Sequence, residues 1–148
     1  MPRVRIPAQL RRLVITRARG CCEYCLLHQD HSSFTHQVDH VIALKHRGVT
    51  LLVNLALACL ECNLNKGTDF ATIDWETGEV TLLFNPRKQV WRDHFAFDGA
   101  RIVGLSQTGR ATIALLQLNR PQRVSERQDL IELGVYPPEW LHYESIKQ

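Results

Sequence analysis

Two Cys-x-x-Cys pairs, Cys22/Cys25 and Cys59/Cys62, constrain this chain more than any other feature. A Cys-x-x-Cys turn lets two sulfurs approach one ion from a tight knuckle, and two knuckles complete a tetrahedral four-cysteine shell. A closed four-sulfur shell leaves no position for water, so the Zn²⁺ it would hold is structural. A disulfide pair or buried free thiols are the plainer alternatives. A redox pair needs one such motif at a strand–helix junction, whereas this chain has two matched pairs. Cys21 could pair with Cys25 at a spacing one residue wider, but Cys22/Cys25 matches the second pair. Cys21 is then a spare thiol, either packed or reactive.

The stretch between the knuckles carries a second kind of chemistry. FTHQVDHVIAL is rich in β-branched and apolar residues and suits a short strand, and NLALAC suits another. LECNLNKGT then reads as a short helix that stops at Gly67. On that helix Asn63 and Lys66 lie three apart and share a face, from which Lys66 would reach a phosphate as a point charge. The intervening KHRGVT is a polar loop. Its Lys45, His46 and Arg47 are either phosphate contacts or simply solvated. His36 could share a strand face with His40, but a structural or substrate-flanking role fits it better than a ligand's.

These residues resemble the HNH endonucleases, whose core is a ββα-metal (His-Me) finger. The resemblance spans roughly residues 12–70 and rests on the Asp39–His40 dyad, Asn54, Asn63, both knuckles and the Asn-x-x-Lys-Gly ending, in the family's order. It implies that His40 is the general base, that Asp39 is a metal ligand, and that Asn54 braces the loop behind His40. The motif's last position is usually histidine and here is Asn63. The HNH domain of the RNA-guided CRISPR nucleases looks similar, with asparagine there and a lysine three residues later. The resemblance implies DNA hydrolysis leaving 3′-hydroxyl and 5′-phosphate ends.

The residue types suit that chemistry in their own right. Phosphodiester hydrolysis needs a water deprotonated near neutral pH, where histidine titrates. A hard divalent ion stabilises the charge developing on the phosphate and the departing oxygen. Asp39 and the amide oxygen of Asn63 are hard donors suited to Mg²⁺ or Mn²⁺. One carboxylate and one neutral amide make a weak site, so that ion is expected to arrive with DNA, while zinc is permanent.

Elsewhere the chain reads as supporting structure. Pro7 opens a helix over AQLRRLVITRAR whose inward stripe is Leu10, Leu13 and Val14, and Gly20 ends it. The first twenty residues hold Arg3, Arg5, Arg11, Arg12, Arg17 and Arg19 and no acid, a block that suits a polyanion or a solvated helix face. Net charge is only +3 overall, so this distribution says more than the total. His28 and His31 fall in a loop. After Gly67, ATIDWETGEVTLLFNP predicts a β-hairpin, and residues 89–97 and 101–105 predict two strands joined at Asp98-Gly99. TGRATIALLQLN predicts a helix with Thr108 as a candidate cap, and Pro121 and Gly134 bound a last helix. Trp75, Trp91 and Phe95 read as core or interface. Arg87, Lys88, Arg92, His94 and Arg110 either extend a DNA track or belong to a layer that shields the finger. Residues 83–118, with LFNPR, WRDHF and GRATI, look similar to an extension on small stand-alone bacterial HNH proteins.

The expected fold is therefore α+β. A ββα-metal core with its basic N-terminal helix occupies residues 1–70. Residues 71–148 form a β-meander-plus-helix extension packed on it as one unit. The expected activity is a metal-dependent endonuclease that nicks or cleaves DNA, with RNA also open as a substrate. The alternatives are a zinc-stabilised DNA-binding module that does not cut, or a nuclease subunit targeted by a protein partner. A double-strand break would need a homodimer or two events. The lack of a signal peptide or of an apolar run long enough to span a bilayer gives a cytoplasmic expectation, where reduced thiols favour metal over disulfide.

Overall fold

The computed structural model describes residues 5–143. Arg3, with the rest of residues 1–4 of the basic arm, and the tail 144–148 lie outside the described residues. Among the described residues the fold is a mixed α+β arrangement with three two-stranded antiparallel sheets and a four-cysteine cluster.

Helix α1 spans Ala8–Arg17, with Pro7 at its N-cap. Val14 and Ala18 are buried against Leu55 and Leu57, and Leu10 and Ile15 pack around them. Leu13 is not part of the inward stripe: it is 45% exposed, and Ile15 takes its place. Arg17 closes the contact by donating to the carbonyl oxygens of Leu52 and Leu55.

Strand β1 (Gln37–His40) pairs with β2 (Leu55–Ala58), placing Asp39 opposite Ala56 and His40 opposite Leu55. Both are shorter than the apolar runs suggest, because the chain turns out of each within four residues. Cys59 alone separates β2 from α2 (Leu60–Lys66), and its sulfur accepts the Cys62 N–H as the helix N-cap. Gly67, at φ +53°, ends the helix.

The second half is two separate hairpins rather than a meander. Strands β3 (Ala71–Asp74) and β4 (Glu79–Leu82) form one, and β5 (Phe95–Asp98) and β6 (Arg101–Gly104) the other. Helix α4 (Gln107–Leu116) packs on both. It can approach because residue 109 is glycine: a Cβ there would meet the His94 carbonyl oxygen at 2.1 Å. Its cap is Ser106, which accepts from Gly109 N–H, and not Thr108, whose hydroxyl donates to the Leu82 carbonyl. Residues 89–97 are not one strand: Trp91–His94 form a single helical turn, α3, before β5 starts. Helix α5 spans Pro121–Glu132.

One core runs through both halves of the chain. The four knuckle cysteines and Tyr24 pack with Phe84, Trp91, Phe95, Leu116 and Tyr136. Trp91 and Phe95 are thus core, but Trp75 is 83% exposed at the tip of the β3–β4 hairpin. No helix among the described residues is long and apolar enough to cross a membrane.

Candidate active site and metal centre

Cys22, Cys25, Cys59 and Cys62 are all buried, and their sulfurs lie within 4.8 Å of one another. None is in a disulfide. Tetrahedral zinc with Zn–S near 2.3 Å separates its sulfurs by about 3.8 Å, and Cys25 Sγ lies 3.7 Å from Cys59 Sγ. The donor set and its spacing therefore fit a structural zinc. The second residue of each pair turns its N–H toward the first sulfur, Cys25 N to Cys22 Sγ at 3.5 Å and Cys62 N to Cys59 Sγ at 3.4 Å.

An arginine from α5 completes the cluster, a residue that sequence spacing does not single out. The Arg123 guanidinium is buried and donates to Cys62 Sγ at 3.1 Å and to Cys59 Sγ at 3.7 Å. It also donates to the Leu116 carbonyl oxygen at 3.0 Å and pairs with Glu61 at 3.3 Å. Burial alone would lower its pKa, but the charge on Cys62, Cys25 and Cys59 raises it. Cys21 stands apart from the cluster. Burial pushes its thiol up to about 11, which makes it a packed side chain rather than a nucleophile.

The second site lies where β1 meets α2. Asp39 and Lys66 are both buried, and Lys66 Nζ sits 3.0 Å from Asp39 Oδ2. The same ammonium donates to the His40 carbonyl oxygen at 3.1 Å. Tyr24, held inside the first knuckle, points its hydroxyl at Asp39 Oδ2 from 3.5 Å. Lys66, expected to reach a phosphate, thus carries its charge inward. Burial raises the Asp39 carboxyl above its ordinary value although Lys66 pulls the other way.

His40 faces a different neighbour: its Nε2 lies 2.9 Å from Thr50 Oγ1. Burial lowers the imidazole below its ordinary value, Asp39 opposes this, and Lys66 adds to it. The net direction favours the neutral ring near pH 7.

Asn54 is buried at the base of the loop that leaves β1. Its carboxamide accepts from Ile42 N–H at 2.9 Å and donates to the carbonyl oxygens of Ile42 and Val49, each at 2.9 Å. Its backbone carbonyl also accepts from Val41 N–H. Gly48 makes this closure possible, since a Cβ there would fall 1.7 Å from the Ile42 carbonyl oxygen and 2.9 Å from Asn54 Nδ2. The loop behind His40 is fixed from three sides as a result.

Asn63 is half-buried, one turn before Lys66 on α2. Lys45, His46 and Arg47 are exposed on the loop, and the His46 and Phe70 rings meet at a near-right angle, 4.9 Å between centroids. His36 is buried, with Nε2 2.7 Å from the Leu27 carbonyl oxygen.

Several basic residues are committed to the fold. Arg87 pairs with Glu23, which also accepts the Leu57 N–H. Arg110 bonds Asp74 and Glu76. Arg92 reaches the Leu141 carbonyl oxygen, and His94 bonds Ser106. Arg19 lies over the Trp140 ring at 5.0 Å. Arg5, Arg11, Arg12 and Lys88 remain exposed.

Neither curated proteins nor solved structures show a match to this chain. Residues 22–69, from the first knuckle through the turn after α2, match the family model described as HNH endonuclease, so that stretch carries an HNH endonuclease domain whose four-cysteine cluster is consistent with a zinc knuckle.

Proposed function

We propose that the protein is a metal-dependent endonuclease that hydrolyses DNA phosphodiester bonds. An HNH domain points to a nuclease or DNA-binding function. The observation that carries the step to cleavage is the half-buried His40 imidazole, set against Thr50 on a backbone that two buried side chains hold. Asn54 holds the loop after His40, and Lys66 holds the His40 carbonyl oxygen. A merely binding module has no need of a histidine fixed in this way.

In this reading residues 1–70 are the ββα-metal core and residues 71–148 an extension, from which Phe84, Trp91, Phe95 and Tyr136 share the core with the zinc cysteines. His40 takes the proton from the attacking water, and Thr50 orients the ring through Nε2. Asn54 keeps the loop from sagging away from the phosphate. Asp39 and Asn63 are the donors for Mg²⁺ or Mn²⁺, whose charge would stabilise the pentavalent phosphate and the leaving oxygen. Both are hard oxygen donors, one from β1 and one from α2, so the donor chemistry fits. Lys66 neutralises Asp39 when no ion is bound, which would keep the metal site weak until DNA adds its own oxygens.

The test is plasmid nicking with Mg²⁺ or Mn²⁺ by the wild type and by His40→Ala. Nicking by the wild type alone is the expected result. Equal activity in both, or none under any divalent ion, would leave the DNA-binding module as the better reading.

A further inference from the structure

Beside the Asn54 brace lies an open cleft of about 500 Å³ with no assigned role. That volume is in the range of small-ligand clefts, roughly 300–1,000 Å³. Its walls combine three chemistries. Phe70, Val53, Leu82 and Val49 are each at least 40% exposed, and all four converge on this cleft over the buried Phe84. Exposed apolar side chains gathered at one cleft mark a surface that something covers.

Asn85 and Gln89 add polar groups. Their side-chain oxygens accept from Arg87 N–H and Asn85 N–H, each at 2.9 Å. The two amide nitrogens are left as donors for a ligand. Arg47 and Lys88 supply positive charge, and no carboxylate lines the cleft among the described residues. Lys66, whose ammonium holds the His40 carbonyl oxygen, forms part of the wall. Val41, Ile42 and Asn54 also line it, so the cleft lies against the segment that directly follows His40.

An aromatic and aliphatic wall, free amide donors and a cationic, acid-free rim match one chemical class, a nucleotide with its base unstacked. We infer that this cleft receives an unpaired base of the substrate strand, next to the phosphate addressed by His40. The base packs against Phe70 and offers its acceptor atoms, such as the carbonyl oxygens of a pyrimidine, to Asn85 and Gln89, while Arg47 and Lys88 flank the backbone. The cleft thereby favours single-stranded, gapped or distorted DNA over intact duplex. This deepens the nuclease reading and rests on it for the position of the phosphate. An apolar segment of a protein partner would use the phenylalanine wall but not the cationic rim.

The test is binding without cleavage. The full-length zinc protein is titrated, in Ca²⁺ at neutral pH, with labelled octathymidylate and with an abasic octamer of the same length. Stacking of one base on an aromatic ring predicts octathymidylate tighter by about tenfold or more. Phe70→Ala should abolish that preference, and Phe70→Trp should keep it. Lys88→Ala should weaken both oligomers by the same factor. Equal binding of the two octamers overturns the inference, as does failure of both to bind. So does a preference that survives Phe70→Ala in a variant whose circular dichroism matches the wild type, since the base would then sit elsewhere. The readout needs no turnover, so a failed nicking assay with an intact base preference would sink the nuclease reading and leave the cleft assignment standing.

Discussion

The ammonium of Lys66 lies 3.0 Å from Oδ2 of Asp39, and both side chains are buried. This pair ties the last turn of α2 to β1 and spans 27 residues of sequence (66 − 39). Its energetics are asymmetric. A buried ion pair adds little over an apolar substitute, but removing one partner strands a charge at a cost of about 3–5 kcal/mol.

Lys66→Met is therefore expected to destabilise the protein by roughly 3–5 kcal/mol, with Asp39→Asn/Lys66→Met recovering part of the loss. Urea unfolding of the three proteins measures it. A double variant no more stable than Lys66→Met would mean that a stranded Asp39 charge is not what destabilises the single variant.

His40→Ala should lower the cleavage rate by about 10²–10⁴-fold, the usual contribution of a positioned general base. Single-turnover cleavage is the readout. Thermal unfolding should change little, because the His40 ring makes one hydrogen bond, to Thr50.

Asn54→Ala removes a buried carboxamide that three backbone groups depend on. A loss of at least about 1–3 kcal/mol is expected, since buried backbone polar groups are left unsatisfied. Hydrogen exchange at Ile42 N–H should speed up, and cleavage should fall through kcat more than KM. Unchanged exchange at Ile42 would remove the bracing role.

Metal analysis is expected to give one zinc per chain, and Cys→Ser at any of the four positions should unfold the domain. Arg123→Met should leave the four ligands intact yet loosen zinc by about 10–100-fold, the usual effect of losing a group that bonds the ligands. A chelator competition that finds equal affinity would show that the 3.1 Å contact to Cys62 is incidental.

The Asp74–Arg110 pair predicts a pH dependence. Hydrogen bonds from Arg110 hold the Asp74 carboxyl below its ordinary value, burial opposing them. The unfolded chain then binds the proton first as acid is added, so stability from this pair is present above about pH 3.9 and is lost as pH falls through the lower folded value. Wild type should exceed Arg110→Met in urea midpoint at pH 7, and the gap should shrink in acid. A gap that does not vary with pH would contradict the assignment.

Local spacing alone determined a good part of this protein. The two knuckles, α2 between Cys59 and Gly67, the Asp74–Glu79 hairpin turn and α5 between Pro121 and Gly134 each depend on residues within one or two turns of one another. Backbone geometry leaves such segments few alternatives, so their sequence suffices. Where nearby choices were close in energy, packing decided instead. Trp91–His94 coil into a turn that brings Trp91 under Tyr24, whose carbonyl oxygen accepts its indole N–H at 2.9 Å. Ser106 displaces Thr108 as the cap of α4. Which side chains serve the two sites was also a tertiary matter. The inward charge of Lys66, the Thr50 hydroxyl at His40 and the Arg123 contact to Cys62, 61 residues away, exist only once distant segments meet. No periodicity marks them, because each is selected by the burial of one group against another rather than by its neighbours in the chain.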